Sequence, residues 1–279
     1  MKKIITFWIS VCVILLGIYS CNDSSNPALS INNDFVYPLE IGNRWEYNAS
    51  MRYSNVSPDS LKDQLSDYAM DISVSVTRKI FIDTIEVYEM KEESEKYTGA
   101  YAYYSNKEEG FLKYAYSNSP DVILPKTNGR KTYSFKGISF NNISEFIINL
   151  EKINSLSKTL NDSIIYFAQP RVIYSYPLEV GSEWDFSISN IKIVKEVIEK
   201  ETINSSFGNY SCFKIQWKYD FDNDGIVDDD FIYYEYLCSK GIMKRTLTLK
   251  NVAISTVQNP GGISFADVKI EQTLTGINF

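Results

Sequence analysis

The chain has 279 residues, with 35 acidic and 28 basic side chains, a net charge of −7 and no histidine. The absence of histidine excludes Ser-His-Asp and Cys-His catalysis, His-ligated zinc and proton shuttling by histidine. The negative charge argues against nucleic acid as a partner, because phosphates attract basic surfaces. The 21 tyrosines and 15 phenylalanines can fill a large core, and such aromatic richness favours sheets.

The first 20 residues have the pattern of a signal peptide. Lys2 and Lys3 precede an apolar stretch over residues 4–17, which is shorter than the roughly 20 residues of a membrane-spanning helix. The following Ile18-Tyr19-Ser20-Cys21 resembles a bacterial lipobox, with an aliphatic residue at −3 and a small residue at −1. We therefore predict that residues 1–20 are removed and that the cysteine is lipidated. The alternative is an ordinary secretory signal beside a chance cysteine.

Residues 21–35 form the next predicted segment, which consists of the lipidated Cys21 and a flexible tether. The tether is polar, contains Pro27 and shows no periodicity, as expected of an unstructured linker. The N-terminal lipid would bind the protein to a membrane of the bacterial cell envelope. We predict the outer membrane, with the body facing the periplasm or the cell surface, while the sequence leaves the inner membrane open.

An 11-residue motif occurs twice in the chain. Residues 37–47 (YPLEIGNRWEY) return as residues 176–186 (YPLEVGSEWDF), which indicates an internal duplication. Proline suits the start of a strand, glycine permits a tight turn, and tryptophan can close one end of a core. A structural role is therefore predicted for Pro38, Gly42 and Trp45 in the first copy and Pro177, Gly181 and Trp184 in the second.

The duplication predicts an all-β, mainly antiparallel fold, made of a duplicated β unit with one inserted amphipathic helix. We assign residues 36–135 to the first β repeat, 136–170 to the inserted segment and 171–279 to the second repeat. Apolar residues at near-helical spacing, with Ser144 as the N-cap, predict a helix over 144–160. Since neither half closes its own sheet edges, we expect one merged body, with two separately folding halves as the alternative.

Three motifs of the chain resemble an uncharacterised class of secreted bacterial lipoproteins. They are PLxxGxxW, the turn FGNY at residues 207–210 and the closing KGIMK at residues 240–244. Proteins of that class commonly carry the PLxxGxxW motif just after the lipid tether. The resemblance implies a β architecture and an envelope location, and it implies no activity.

Residues 220–228 (DFDNDGIVD) fit the pattern DxDxDGxxD of calcium loops. In such loops, oxygens at positions 1, 3 and 5 converge on one hard cation, and glycine at position 6 makes the sharp turn. A glutamate at position 12 is missing because Phe231 stands there, and Asp229 and Asp230 are the candidates to replace it. We predict a structural calcium site at a β-hairpin tip, with an acidic solvated turn as the alternative. The predicted ligands are Asp220, Asp222, Asp224, the carbonyl of Ile226, and Asp228.

A hairpin centred on Gly225 fixes the pairing of the two strands that flank this loop. It sets Cys212 opposite Cys238, which predicts a cross-strand disulfide in an oxidising compartment, with two buried free thiols as the alternative. The same register pairs aromatic and apolar residues on one face. The pair formed by Ile215 and Glu235 is the only one that fits this register poorly.

No catalytic constellation stands out, so we predict that the protein is not an enzyme. Ser155 to Lys158 match S-x-x-K without companion motifs, and the repeated Glu40 and Glu179 indicate a role in the fold. The leading hypothesis is a non-catalytic cell-envelope lipoprotein with a binding or scaffold role, whose partner is a glycan or an envelope protein. The alternative is a carrier of lipid or other apolar cargo, and a carboxylate-based glycan hydrolase is less favoured. A row of solvent-facing aromatic rings would favour glycan, and a large aliphatic cavity would favour cargo.

Overall fold

Fifteen antiparallel strands form one continuous sheet in the computed structural model, which describes residues 35–95, 97–117, 131–141, 146, 157–159, 164–187, 191–256 and 264–279. Six strands come from the first half of the chain: β1 (Arg44–Ser57), β2 (Tyr68–Ile82), β3 (Ile85–Ser94), β4 (Tyr97–Lys107), β5 (Gly110–Ser117) and β9 (Ile164–Ser175). Six come from the second half: β10 (Glu183–Asp185), β11 (Lys192–Ser205), β12 (Gly208–Asp220), β13 (Phe231–Cys238), β14 (Gly241–Thr256) and β15 (Phe265–Asn278). Three short strands come from the segment between β5 and β9: β6 (Lys131–Phe135), β7 (Ile138–Phe140) and β8 (Ser157–Thr159).

The strand order shows how the two halves join. It runs β10-β11-β12-β13-β14-β15-β1-β2-β3-β4-β5-β9-β8, and β6 pairs with β14 and β7. The first and last strands are neighbours, with a ladder that extends from Arg44 opposite Asn278 to Ser57 opposite Phe265. Residues 34–279 therefore form one compact unit, as predicted for a merged sheet.

Alternating side chains explain why the central strands form. In β1, Trp45, Tyr47, Ala49 and Met51 are buried, whereas the residues between them are exposed or half-buried. This period of two is the pattern of a strand with one face in the core. A short 3₁₀ helix (Asp59–Gln64) follows β1 and buries Leu61. Within the described residues, no helix has the length and the apolar character needed to cross a membrane.

The two copies of the repeated motif adopt the same turn. The Gly42 amide donates to the Val76 carbonyl at 3.0 Å, and the Gly181 amide donates to the Val197 carbonyl at 2.7 Å. A β-bulge follows each of these two valines, between β2 and β3 in the first copy and between β11 and β12 in the second. The all-β, mainly antiparallel fold and the duplicated unit are confirmed.

The predicted inserted helix is not supported. Residues 157–159, which the prediction placed at its end, form strand β8 and pair with β9. Phe146 is helical and buried, and the other residues of the predicted helix lie outside the described part of the chain. The predicted boundary at residue 171 falls inside β9, which pairs with β5 and completes the first half of the sheet. The insertion therefore lies between β5 and β9.

The core consists mainly of two large apolar clusters. The first apolar cluster includes Trp45, Phe111, Val197, Leu237 and Ile242, and it joins residues of both repeats. The second apolar cluster is defined by these buried residues: Phe140, Phe146, Ile193, Tyr219, Phe231, Leu247 and Leu249. The space between the two clusters holds the site described below.

Trp45 links the start of β1 to the tight turn before β14. Its indole Nε1 donates to the Lys240 carbonyl at 2.6 Å, and its ring meets Phe279 edge to face. A Cβ atom on Gly241 would lie 2.8 Å from this Nε1 atom, and Gly241 has a φ of +92°. Glycine is therefore required at this turn for both space and backbone conformation.

We predict that Gly241→Ala destabilises the protein by about 2–4 kcal/mol, because it combines backbone strain with a clash against Trp45. Gly137→Ala is the matched control, since Gly137 also has a positive φ (+76°) but no atom within 4 Å of the added Cβ. The control should cost about 1 kcal/mol. Urea unfolding measures both changes, and equal losses would contradict the close contact at Trp45.

Candidate functional site

A belt of polar and charged side chains separates the two apolar clusters on the inner face of the sheet. Along β14, Arg245 lies between Ile242 of the first cluster and Leu247 of the second. Along β11, Lys195 lies between Val197 and Ile193 in the same way. The inner belt is defined by Lys113, Arg171, Lys195, Trp217, Tyr233, Glu235, Arg245 and Gln272.

Strand register brings the members of the inner belt together. Lys195 is opposite Trp217, and Trp217 is opposite Tyr233. On the next strands, Glu235 is opposite Arg245, which is opposite Gln272. Lys113 and Arg171 are opposite each other on β5 and β9. The belt thus draws residues from both repeats.

Glu235 is the only belt carboxylate, and it is 1% exposed. Its Oε1 accepts from Arg245 Nε at 2.8 Å, and its Oε2 accepts from Trp217 Nε1 at 3.0 Å and from the Tyr174 hydroxyl at 3.3 Å. Burial favours the neutral acid, but the charges of Arg245 and Lys195 and these hydrogen bonds outweigh it, so the pKa of Glu235 is lowered. The carboxylate is therefore charged and fully hydrogen-bonded.

Lys195 is completely buried and sits in a cage of aromatic rings. Its Nζ lies 3.5 Å from the Trp217 ring centroid and 4.0 Å from that of Phe186. It donates one hydrogen bond, to the Ile173 carbonyl at 2.9 Å, and has no ion pair among the described residues. Ring faces attract a cation, but they replace only part of the hydration that burial removes.

The pKa of Lys195 is accordingly lowered from 10.5 to about 7. Burial is the largest cause, because it disfavours the charged ammonium. The neighbouring positive charges of Arg245, Lys113 and Arg171 act in the same direction, and Glu235 opposes them. A buried amine that titrates near neutrality is the kind of group that proteins use at binding and reaction sites.

The second candidate site is the Asp-rich hairpin tip between β12 and β13. One carboxylate oxygen each of Asp220, Asp222 and Asp224 lies within 4.8 Å of the others. Asp220 is buried, and its two oxygens accept the amides of Asp224 at 3.1 Å and Gly225 at 2.9 Å. The positive φ of Asn223 (+59°) and Gly225 (+89°) lets the loop curl around these oxygens.

The structure gives Asp228 a different partner from the predicted metal. Its Oδ1 forms an ion pair with Lys136, and its Oδ2 accepts the Phe221 amide at 2.8 Å. Asp230, a candidate for the missing ligand, lies 3.7 Å from the same lysine. Ile226 has an exposed side chain, and its amide donates to Asp224 at 2.8 Å. The structure therefore brings three of the five predicted ligands together.

The hairpin register agrees with the sequence prediction. Phe213 is opposite Leu237 and Trp217 is opposite Tyr233, as expected for a hairpin centred on Gly225. Cys212 and Cys238 are buried free thiols. A hydrogen bond between them raises the pKa of Cys212 and lowers the pKa of Cys238. The disulfide stays a prediction.

The repeated motif is built into the fold at both copies. Gly42 and Gly181 form the turns already described, and Pro38 and Pro177 precede them. Trp45 is hydrogen-bonded, whereas the indole Nε1 of Trp184 is buried without a hydrogen-bond partner. The second copy therefore differs from the first because its tryptophan N–H donor has no acceptor.

The remaining predicted residues fall outside both sites. Cys21 and Ser155 lie outside the described residues, and Lys158 belongs to strand β8. Glu40 and Glu179 are exposed at the two equivalent turns, where their carbonyls accept the turn amides. The inner belt was not predicted, although the poor fit of Glu235 opposite Ile215 marks one of its members.

No protein-family model matches the chain, and the search of curated proteins found no match. Among solved structures, the chain is similar to a protein of Bacteroides fragilis NCTC 9343 that is described as exported and as having a YmcC-like fold. The TM-score is 0.36 and the sequence identity is 11%, and the alignment covers 88% of this chain and 100% of that chain. It is also similar to a protein of Parabacteroides distasonis ATCC 8503 described as a lipoprotein, with a TM-score of 0.31, 11% identity and coverage of 87% and 97%. Similarity at these scores carries no argument about function.

We predict that Lys195→Met stabilises the protein at neutral pH, because methionine fills the aromatic cage without a buried charge. In the native chain, the folded lysine releases its proton above about pH 7, whereas the unfolded lysine keeps it up to about 10.5. The unfolding free energy of the native chain should then rise by about 1.4 kcal/mol per pH unit above 7, relative to Lys195→Met.

Urea unfolding between pH 6 and 9 measures this difference. Lys192→Met removes an exposed lysine from the same strand and controls for the loss of one charge. A stability difference between the native chain and Lys195→Met that stays constant with pH would contradict a lowered pKa for this lysine.

Proposed function

We propose that the protein is a non-catalytic lipoprotein of the bacterial cell envelope, with a binding or scaffold role and a structural calcium site. The lipid anchor is supported by the sequence from Ile18 to Cys21, which directly follows a basic and apolar leader. An envelope location is further supported by the polar tether that separates the cysteine from the folded body. We propose the outer membrane, with the body in the periplasm or at the cell surface.

A carrier of apolar cargo is less well supported by the interior of the sheet. The layer between the two apolar clusters contains the charged side chains Lys195, Glu235 and Arg245. An acyl chain placed there would remove water from these charges without replacing their hydrogen bonds, which is costly. The binding role therefore fits a polar ligand better than a lipid.

A glycan platform on the outer surface also lacks support. No tyrosine or tryptophan is exposed among the residues whose burial the structure describes. The exposed phenylalanines Phe81, Phe265 and Phe279 belong to different parts of the sheet and form no row. We therefore propose that a glycan would bind in the interior rather than on the outer surface. An envelope protein would bind on the outer surface.

A carboxylate-based hydrolase needs one carboxyl group that is protonated near neutral pH. The buried Glu235 is charged and accepts hydrogen bonds from several donors. Glu89, the other buried glutamate of the described residues, accepts from Arg78 and Thr77, and its pKa is also lowered despite its burial. Neither suits a general acid, which supports a non-catalytic protein.

The hairpin tip has the geometry for a hard cation. Two oxygens that both bind calcium at 2.3–2.6 Å can be at most about 5 Å apart, and the three carboxylates satisfy this limit. We assign Asp220, Asp222 and Asp224 as ligands, with the Ile226 carbonyl as a further one. Asp228 could join only by leaving Lys136. After export, the adjacent thiols of the two strands would form the proposed disulfide.

The anchor is tested by metabolic labelling with palmitate and by membrane fractionation. We expect the native protein to take up the label and to sediment with membranes, and Cys21→Ala to do neither, because the acyl chains attach to this cysteine. Cys12→Ala is the matched control, since Cys12 lies in the apolar part of the leader and should be removed with it. Label in Cys21→Ala would overturn the lipidation.

The calcium site is tested by thermal unfolding in EDTA and in 10 mM calcium. With a Kd of about 1 mM, calcium should stabilise the native protein by about 1.4 kcal/mol and raise its Tm by roughly 3–5 °C. Asp222→Ala combined with Asp224→Ala should abolish the shift. Asp63→Ala combined with Glu108→Ala removes two other exposed acids and should leave it intact.

Lys136→Met gives the opposite expectation at the same site. Removing this ammonium frees Asp228 and a competing positive charge, so calcium affinity should rise about five-fold. A calcium titration of the Tm compares the variant with the native protein. The absence of any calcium-dependent shift in either would falsify the metal site and leave an acidic turn held by its own backbone amides and Lys136.

A further inference from the structure

The inner belt carries more positive than negative charge. Its four cations are Lys113, Arg171, Lys195 and Arg245, and its carboxylate is Glu235. One more carboxylate, Glu92, belongs to the inner face of β3, where its negative charge helps to raise the pKa of Tyr47. On the described part of this face, the cations therefore outnumber the acids near the belt.

Positive neighbours are unfavourable for Lys195, which is fully buried and has no ion pair among the described residues. Lys195 lies close enough to Arg245, Lys113 and Arg171 for each to disfavour its charge. A buried charge without a hydrogen-bonded counter-charge costs several kcal/mol. A neutral residue would pack in the same aromatic cage, so the lysine is costly for the fold and is best explained by a ligand.

The belt is also partly open. The side chain of Arg245 is 33% exposed, although it lies on the inner face between buried residues of β14. Lys113 and Arg171 on the facing strands are likewise half-buried. Side chains of a packed core would not retain this exposure, so solvent reaches Arg245, whereas Lys195 beside it is fully buried.

A second observation is the unmet donor of Trp184. Its indole Nε1 is buried without a partner, and its ring centroid lies 6.0 Å from Lys195 Nζ. The equivalent Trp45 donates to Lys240, in the turn before β14. In the other half, the corresponding carbonyl, that of Glu109, accepts the Tyr176 amide instead. The described residues beside Lys195 thus leave one buried donor without an acceptor.

The place of entry follows from the broken symmetry of the repeats. β1 pairs with β15 along its length, whereas its counterpart β10 has three residues and pairs only with β11 in the described sheet. No described pairing joins β9 to β10. The Lys195 ammonium bridges this gap through its bond to the Ile173 carbonyl.

We propose that the inner belt binds a small organic oxyanion, a sugar carboxylate or a sugar phosphate, between β9 and β10. Lys195, Arg171 and Arg245 would supply charge-assisted hydrogen bonds to the oxyanion, and the unpaired indole of Trp184 would supply a further donor. The rings of Trp217 and Phe186 would flank the sugar. This inference rests on the binding role proposed above and names its ligand class.

Titration calorimetry and tryptophan fluorescence test the proposal on the purified protein. The probes are glucuronate, glucose 6-phosphate and inorganic phosphate, with glucose as the neutral control. We expect saturable binding of at least one organic anion and none of glucose. Glucuronate and glucose 6-phosphate distinguish the two oxyanion sources, and binding of inorganic phosphate alone would overturn the assignment of an organic ligand.

Two variants locate the site. Lys195→Met and Arg171→Gln should each weaken binding at least ten-fold, and Lys192→Met should leave it unchanged. Because Lys195→Met is expected to be more stable than the native protein, loss of binding in this variant would not reflect unfolding. Native affinity in Lys195→Met would overturn the proposal.

The protonation state of Lys195 gives a readout that a purely structural lysine would not affect. An anion favours the ammonium form, so binding at pH 8 should take up a proton, seen as a buffer-dependent heat, and affinity should fall between pH 7 and 9. Arg171→Gln should keep this proton uptake. Glucose binding equal to glucuronate binding would overturn the anionic ligand. No binding of any probe would overturn the ligand class proposed here, and it would leave the proposed envelope-protein partner on the outer surface untouched.

Discussion

The pairing of the first strand with the last is the interaction on which the rest of the fold depends. β1 and β15 are far apart in sequence, and their ladder is the only connection between the two halves within the path of the main sheet. The Trp45 side chain lies at this junction, where it meets the Lys240 carbonyl and Phe279. The first apolar cluster then draws residues from both repeats and makes the junction part of the core.

On the other side of the duplication, the described strands include no corresponding junction. β10 is too short to pair as β1 does, and the gap beside it is bridged by a lysine side chain rather than by a backbone ladder. A backbone ladder satisfies its own polar groups, whereas a buried ammonium requires partners that the chain does not fully provide. Of the belt residues, Lys195 is the one that reaches across this gap.

Much of the architecture could be predicted from sequence because it depends on local patterns. The duplicated motif gave the two equivalent turns, and the position of Gly225 gave the hairpin register that sets Trp217 opposite Tyr233. The helix prediction over residues 144–160 was wrong at 157–159, since short apolar runs fit a helix and a strand almost equally well. The long-range pairing of β8 with β9, which no local pattern encodes, decided the outcome there.

The inner belt could not be predicted, because a lysine in an alternating strand usually faces solvent. Lys195 alternates in phase with the buried Ile193 and Val197, but local alternation does not show which side chains of other strands surround it. The three clustered aspartates were predicted because their spacing follows a local loop geometry. The Lys136 ion pair to Asp228 was not predicted, because that lysine comes from the distant segment inserted between β5 and β9.

The pairing of β1 with β15 also sets the order in which an exported chain can be completed. A chain that crosses a membrane from its N-terminus releases β1 first and the partner of β1 last. Until the final residues emerge, one edge of β1 stays unpaired, and such edges readily pair with other chains. Under the lipid anchor proposed above, neighbouring copies would be held side by side at the membrane surface during this interval. The last strand of each chain would then have to compete with those copies for the open edge of its own β1.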